Sequence, residues 1–137
     1  MPTSKEDLKH LTLLGSKVKS TDKIEVFPNH APGKMEVTIH CNEFTCRCPM
    51  TGQPDFATID ITYTPGKWLA ESKSVKLFLE RYREEGVFHE HFAVELGEAF
   101  VSFVKPIQLE VVVHFNVRGG IAVDAAYHYE KNSSAQG

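Results

Sequence analysis

The thiol of Cys48 and the carboxyl group of Asp55 stand seven positions apart in the stretch FTCRCPMTGQPDF, residues 44–56. A cysteine attacks an electron-poor carbon once it becomes a thiolate, and a nearby carboxyl group can exchange the proton involved. Cys48 falls where one apolar alternation ends and Asp55 where the next begins, so a turn of this length can return both side chains to one pocket. The same residues also read as a Pro/Gly turn holding a buried thiol and a capping aspartate, and spacing alone leaves both readings open. A Cys46–Cys48 disulfide is disfavoured, because neighbours at i and i+2 of an extended chain do not easily reach disulfide geometry. A zinc site would need further ligands. His89 and His91 stand two apart at a helix start and point in different directions, so no metal is expected.

Two more stretches carry charge in a usable pattern. In ESKSVK, Lys73 and Lys76 fall one turn apart near a helix start, a placement that suits phosphate groups. Together with Glu80 and Arg83 they also fit a solvated helix face laced with ion pairs. No Gly-x-Gly-x-x-Gly occurs, so any dinucleotide must bind outside a Rossmann fold. In FHEH, Glu90 either complements the helix dipole or accepts from two adjacent N–H groups, such as one edge of a guanine-like ring.

The elements that must position these groups are written in the apolar periodicity. KMEVTIHC places Met35, Val37, Ile39 and Cys41 on one face, and FATIDITYT does the same for Ala57, Ile59, Ile61 and Tyr63; period two marks half-buried strands. ESKSVKLFLERYREE carries Val75, Phe78, Leu79 and Tyr82 at helical spacing and is expected to end at Gly86. HEHFAVELGEAFVSFVK, with Phe92, Leu96, Ala99, Phe100 and Phe103, is a second amphipathic helix stopped by Pro106. QLEVVVHFNV and GIAVDAAYHY close the chain as strands. The first aligns Leu109, Val111, Val113, Phe115 and Val117; the second aligns Ile121, Val123, Ala125, Tyr127 and Tyr129. RGG between them reads as a hairpin turn. The order ββααββ predicts an α+β fold, an antiparallel four-stranded sheet with two helices on one face. Its exposed edges would be closed by joining sheets in a homo-oligomer.

At 137 residues, the chain is expected to be one domain. Residues 1–33 read as a polar leader with a short edge strand in KIEVF, 34–129 as the domain, and 130–137 as a mobile tail. A net charge of -3 gives no basis for a nucleic-acid groove or a basic membrane face. An anionic ligand must then be held by local positive charge. The start, MPTSKEDLKHLTLLGSK, lacks the apolar core of a signal peptide. With three cysteines in no secreted-framework spacing, the expectation is a cytoplasmic protein with reduced thiols.

CPMTGQPDFATI, ESKSVKLFL, FHEH and RGGIAVD, in that order, closely resemble the NADPH-dependent 7-cyano-7-deazaguanine (preQ0) reductases of queuosine biosynthesis, over roughly residues 34–129. The Glu-Ser-Lys-Ser-x-Lys run is that family's signature, and the Cys-Pro-x-Thr-x-Gln-Pro-Asp segment is almost as specific. The resemblance implies a tunnelling fold (T-fold) whose sheets join into a barrel, and single-module chains assembled as two stacked pentamers with sites between subunits. It implies Cys48 as the nucleophile forming a thioimide with the nitrile carbon, and Asp55 as the general acid. It implies substrate contacts from Glu71, Ser72, His89 and Glu90, and NADPH phosphate contacts from Lys73, Lys76 and Arg118.

Some members of that family carry a further cysteine where this chain has Phe92, so a protective disulfide to Cys48 is not expected here. Cys46 is expected as a small packed residue. Two rivals remain: a zinc-dependent cyclohydrolase-like enzyme of the same general fold, and a non-catalytic binding module of that fold.

Overall fold

The computed structural model describes residues 3–14 and 18–131. Its elements run α1 (Lys5–Leu8), β1 (Val26–Pro28), β2 (Val37–Arg47), β3 (Pro54–Thr64), β4 (Trp68–Ala70), α2 (Ser72–Glu80), a 3-10 turn (Arg81–Glu84), α3 (His89–Val104), β5 (Gln108–Phe115) and β6 (Asp124–Glu130). The main sheet is antiparallel in the order β2-β3-β5-β6. This is the expected α+β arrangement, with α2 and α3 packed on one face.

The core forms where the two periodicities meet. On β3, Ala57, Ile59, Ile61 and Tyr63 are all buried, as are Leu109, Val111, Val113 and Phe115 on β5. Against them pack Val75, Phe78 and Leu79 from α2 and Phe92, Leu96 and Phe100 from α3. Each such side chain withdrawn from water contributes about 1.5–3 kcal/mol. An ideal Cβ at Gly97 would lie 2.1 Å from the Tyr127 ring, so α3 can lie this close to β6 only without a side chain at that position.

Several boundaries differ from the sequence reading. β2 continues to Arg47 because a bulge between Cys41 and Phe44 inserts one residue opposite the Ile59–Ala57 step. The bulge changes the inward parity from Val37, Ile39 and Cys41 to Phe44 and Cys46, and this masked the strand's second half. The helix that starts at Ser72 stops at Glu80 and tightens into the 3-10 turn; Gly86 lies beyond both. Val117 and Ile121 are exposed and outside the strands, while Ala125, Tyr127 and Tyr129 pack on the core. Gly119 (φ 60°) and Gly120 (φ 81°) take the left-handed conformations that the tight Arg118–Ile121 hairpin requires.

The leader packs on the domain. β1 pairs with β4 as a separate two-stranded sheet. Glu25 accepts from the main chain of Leu13 at 2.9 Å through its carboxylate, and its own N–H donates to Ser74 Oγ at 2.8 Å. At the other end, Glu130 belongs to β6 and Lys131 N–H donates to the Ile107 carbonyl at 2.8 Å. The rest of the expected mobile tail, 132–137, lies outside the described residues. No helix among the described residues is long and apolar enough to cross a membrane.

Candidate active site

The hairpin between β2 and β3 carries the thiol. Cys48 N–H donates to the Gln53 carbonyl at 2.8 Å and Gly52 N–H returns to the Cys48 carbonyl at 2.9 Å, closing a compact loop. Gly52, with φ 75°, supplies its left-handed residue. Within this loop the hydroxyl of Thr51, the N–H groups of Thr51 and Met50, and the guanidinium of Arg118 all donate toward the sulfur. Together they lower the Cys48 thiol to about 7. A sulfur so placed has a substantial thiolate fraction near neutral pH and is only partly covered by the fold.

The other two cysteines are of a different kind. Cys46 is fully buried, and burial, aided by the charges of Asp55 and Cys48, pushes its thiol up to about 12. Burial also raises Cys41. All three are free thiols, and Cys46 is the small packed residue anticipated.

Asp55 continues the inward row of β3. It is the Cα partner of Cys46 and is 5% exposed, so its carboxylate must be satisfied from within the protein. Arg118 donates from Nη1 to Oδ1, while His89 Nε2 lies 3.2 Å from Oδ2. His89 is the first residue of α3, and its ring stacks on Phe115 at 3.7 Å and 7°. Arg118 arrives on the β5–β6 hairpin, which Asn116 N–H fastens to the Phe56 carbonyl at 2.9 Å. Three segments, the β2–β3 hairpin, the start of α3 and the β5–β6 hairpin, thus put a low-pKa thiol, a carboxylate, an imidazole and a guanidinium together. Such a group can add sulfur to an electrophilic carbon and move one proton in the same event. Glu90, next to His89, is exposed in the first turn of α3 and available to a ligand at this edge.

The remaining candidates gather at the N-terminus of α2. Glu71 is the N-cap: its carboxylate accepts from Lys73 and Ser74 N–H groups, each at 2.8 Å, and is 6% exposed. Both oxygens therefore serve the helix end; the resemblance implies that Glu71 also lines the substrate pocket with Ser72. Ser72 and Lys76 are exposed and line a cleft of about 430 Å³ between α2 and the bulged edge of β2, with Cys41, Glu43, Glu80 and Arg83. None of Cys48, Asp55, His89 and Arg118 lines it. Within one chain the candidates thus fall into a thiol group and an α2 group. Arg118, expected beside Lys73 and Lys76, sits in the thiol group.

Sequence reasoning missed the donation from Thr51 to Cys48, although a hydroxyl three residues past a turn cysteine was a readable signal. It also missed Arg118 as a partner of Asp55, for which local sequence held no cue. Among the described residues no three His, Cys, Asp or Glu side chains converge as a metal-ligand set.

Comparison with known proteins bears on this arrangement. A family model described as QueF-like protein matches residues 54–134. An NADPH-dependent 7-cyano-7-deazaguanine reductase of Frankia casuarinae is 49% identical over 124 residues, covering 90% of this chain and 98% of that protein. One of the same name from Syntrophus aciditrophicus is 48% identical over 130 residues, 94% of this chain and 93% of its own. In fold, the chain is similar to the crystal structure of the archaeosine synthase QueF-Like in the apo form. That likeness has a TM-score of 0.67 at 22% identity and covers 74% of this chain and 98% of the other.

Proposed function

The chain belongs to the QueF-like family, and we propose that it reduces the nitrile of 7-cyano-7-deazaguanine to the aminomethyl group, using NADPH, in queuosine biosynthesis. The observation that carries this reading is the convergence of a thiol near 7 with a buried carboxylate held by Arg118 and His89.

The first step follows from what these groups can do. Cys48 sulfur adds to the nitrile carbon, one C≡N π bond opens, and the nitrogen takes a proton from Asp55. That proton is the one the Cys48 thiol gave to the Asp55 carboxylate, so Asp55 ends as it began and the product is a neutral covalent thioimide. Thr51 and Arg118 favour the thiolate beforehand, so the attack starts from a prepared nucleophile. Arg118 and His89 fix the carboxyl group of Asp55 where the nitrogen charge develops. His89 and Glu90 hold the deazaguanine edge, with Glu90 accepting from two ring-edge donors. Ser72, on the helix turn that Glu71 caps, would meet the same substrate from a neighbouring subunit, where the α2 group of one chain faces the thiol group of the next.

The donor set at α2 fits a phosphate-bearing dinucleotide: two lysines one turn apart on a capped helix end, of which Lys76 lines the cleft. Lys73 and Lys76 would hold the phosphates, the 2′-phosphate included. Arg118 would add the guanidinium face that its contacts to Asp55 and Cys48 leave open, its side chain being 46% exposed. NADPH supplies two hydride equivalents, one per molecule of cofactor, to carry the carbon from nitrile to amine. Because the thiol and α2 groups are separate in one chain, complete sites would form between subunits of a T-fold barrel, as two stacked pentamers. The enzyme would work in the cytoplasm, where Cys48 stays reduced.

Adding 7-cyano-7-deazaguanine to the assembled protein with NADPH is expected to oxidise the cofactor, two equivalents for each amine formed. Absence of oxidation would reject the reading.

A further inference from the structure

The nucleophile's loop and the anchoring residues of α3 are joined by a short piece of chain. Arg47 N–H donates to the Glu85 carbonyl at 2.9 Å and Val87 N–H donates to the Arg47 carbonyl at 3.1 Å. They form a one-rung parallel bridge between Arg47 and Gly86. Cys48 follows directly on one side of that rung, and Phe88, His89 and Glu90 follow on the other.

Side chains reinforce the rung. Arg47 Nη2 donates to both carboxylate oxygens of Glu84 at 2.8 Å, while Nη1 reaches the Gly52 carbonyl at 3.0 Å on the far side of the Cys48 loop. The guanidinium therefore spans the loop and ties it to the turn before α3, with Nη1 on the loop and Nη2 on Glu84. Beneath it, an ideal Cβ at Gly86 would stand 2.8 Å from Pro49 Cα. Because the obstacle is backbone, Gly86 permits an approach that no other residue would allow without moving the residue beside the thiol.

We propose that Glu84–Val87 is a clamp that sets the distance between the Cys48 sulfur and the His89–Glu90 anchor, with Arg47 and Gly86 as its positioning residues. Neither touches substrate. Their effect is on alignment, where a displacement of about 1 Å can cost on the order of a hundredfold in rate. The inference rests on the nitrile-addition reading.

The test measures three quantities on Gly86→Ala, Arg47→Met, Arg47→Lys and Glu84→Gln: the rate of the substrate–Cys48 adduct without NADPH, reversible substrate affinity, and thermal midpoint. The clamp predicts adduct formation at least tenfold slower in Gly86→Ala and Arg47→Met, well below the melting temperature, with affinity within about threefold of wild type. Arg47→Lys, keeping one donor of the fork, and Glu84→Gln, losing the ion pair, should fall between. Glu84 is exposed, so that variant is expected to fold even if Gly86→Ala does not. Adduct rates equal to wild type in the folded variants, with only the thermal midpoint lowered, would overturn the clamp. Failure of wild type itself to form an adduct would overturn the catalytic reading on which it rests.

Discussion

Arg118 closes on Asp55 from the β5–β6 hairpin, so a half-exposed guanidinium meets a carboxylate that is only 5% exposed. The same guanidinium reaches the sulfur of Cys48. One cation therefore contacts both side chains, and on Cys48 it favours the thiolate.

For the thiol, the sign is definite. A cysteine lowered to about 7 becomes nucleophilic at a lower pH than an ordinary thiol, which titrates near 8.5. Alkylation by iodoacetamide should rise with pH through about 7 and level off above it. In Arg118→Met the midpoint should move upward. An unchanged pH profile would remove Arg118 from the sulfur's environment.

Asp55→Asn should fold, since the amide can still accept from Arg118, yet it cannot deliver the proton. Nitrile reduction is expected to slow by roughly a hundredfold to ten-thousandfold. Single-turnover measurement of adduct formation checks this, and a near-normal rate would assign the proton to another group.

Glu90→Ala should weaken reversible substrate binding by roughly tenfold to a hundredfold, the scale of a lost charge-assisted hydrogen-bond pair. Calorimetric titration in a Cys48→Ala background reads affinity without the covalent step. Unaltered affinity would place the anchor elsewhere.

Lys76→Ala should raise KM for NADPH more than KM for NADH, because only the former carries the 2′-phosphate. Equal effects on both cofactors would move the 2′-phosphate contact away from α2.

Gly97→Ala should destabilise the domain by about 1–3 kcal/mol, the cost of forcing an atom into the Tyr127 ring contact. Chemical denaturation measures it, and no loss would mean that α3 and β6 can separate freely.

The central strands and both main helices were legible in the sequence because their apolar periods run unbroken, as in Ala57, Ile59, Ile61 and Tyr63 on β3. The second half of β2 was not, since one bulge residue reverses the alternation before Phe44 and Cys46. Gly86 looked like a helix stop, whereas its role is a close approach to Pro49, a contact across the fold rather than along the chain. Cys48 and Asp55 share one hairpin, so spacing allowed both side chains to face one pocket without requiring it. Arg118 is brought to Asp55 only when β5 pairs with β3, 63 positions separating the two residues.

Intact-mass analysis of the assembled protein with 7-cyano-7-deazaguanine, without NADPH, is the most direct trial of the chemistry. The expected product is a gain of one whole substrate molecule per chain, mapped to Cys48, absent in Cys48→Ala and discharged to amine when NADPH is added. Normal turnover by protein whose Cys48 has been irreversibly alkylated, or an adduct that survives Cys48→Ala, would contradict the account.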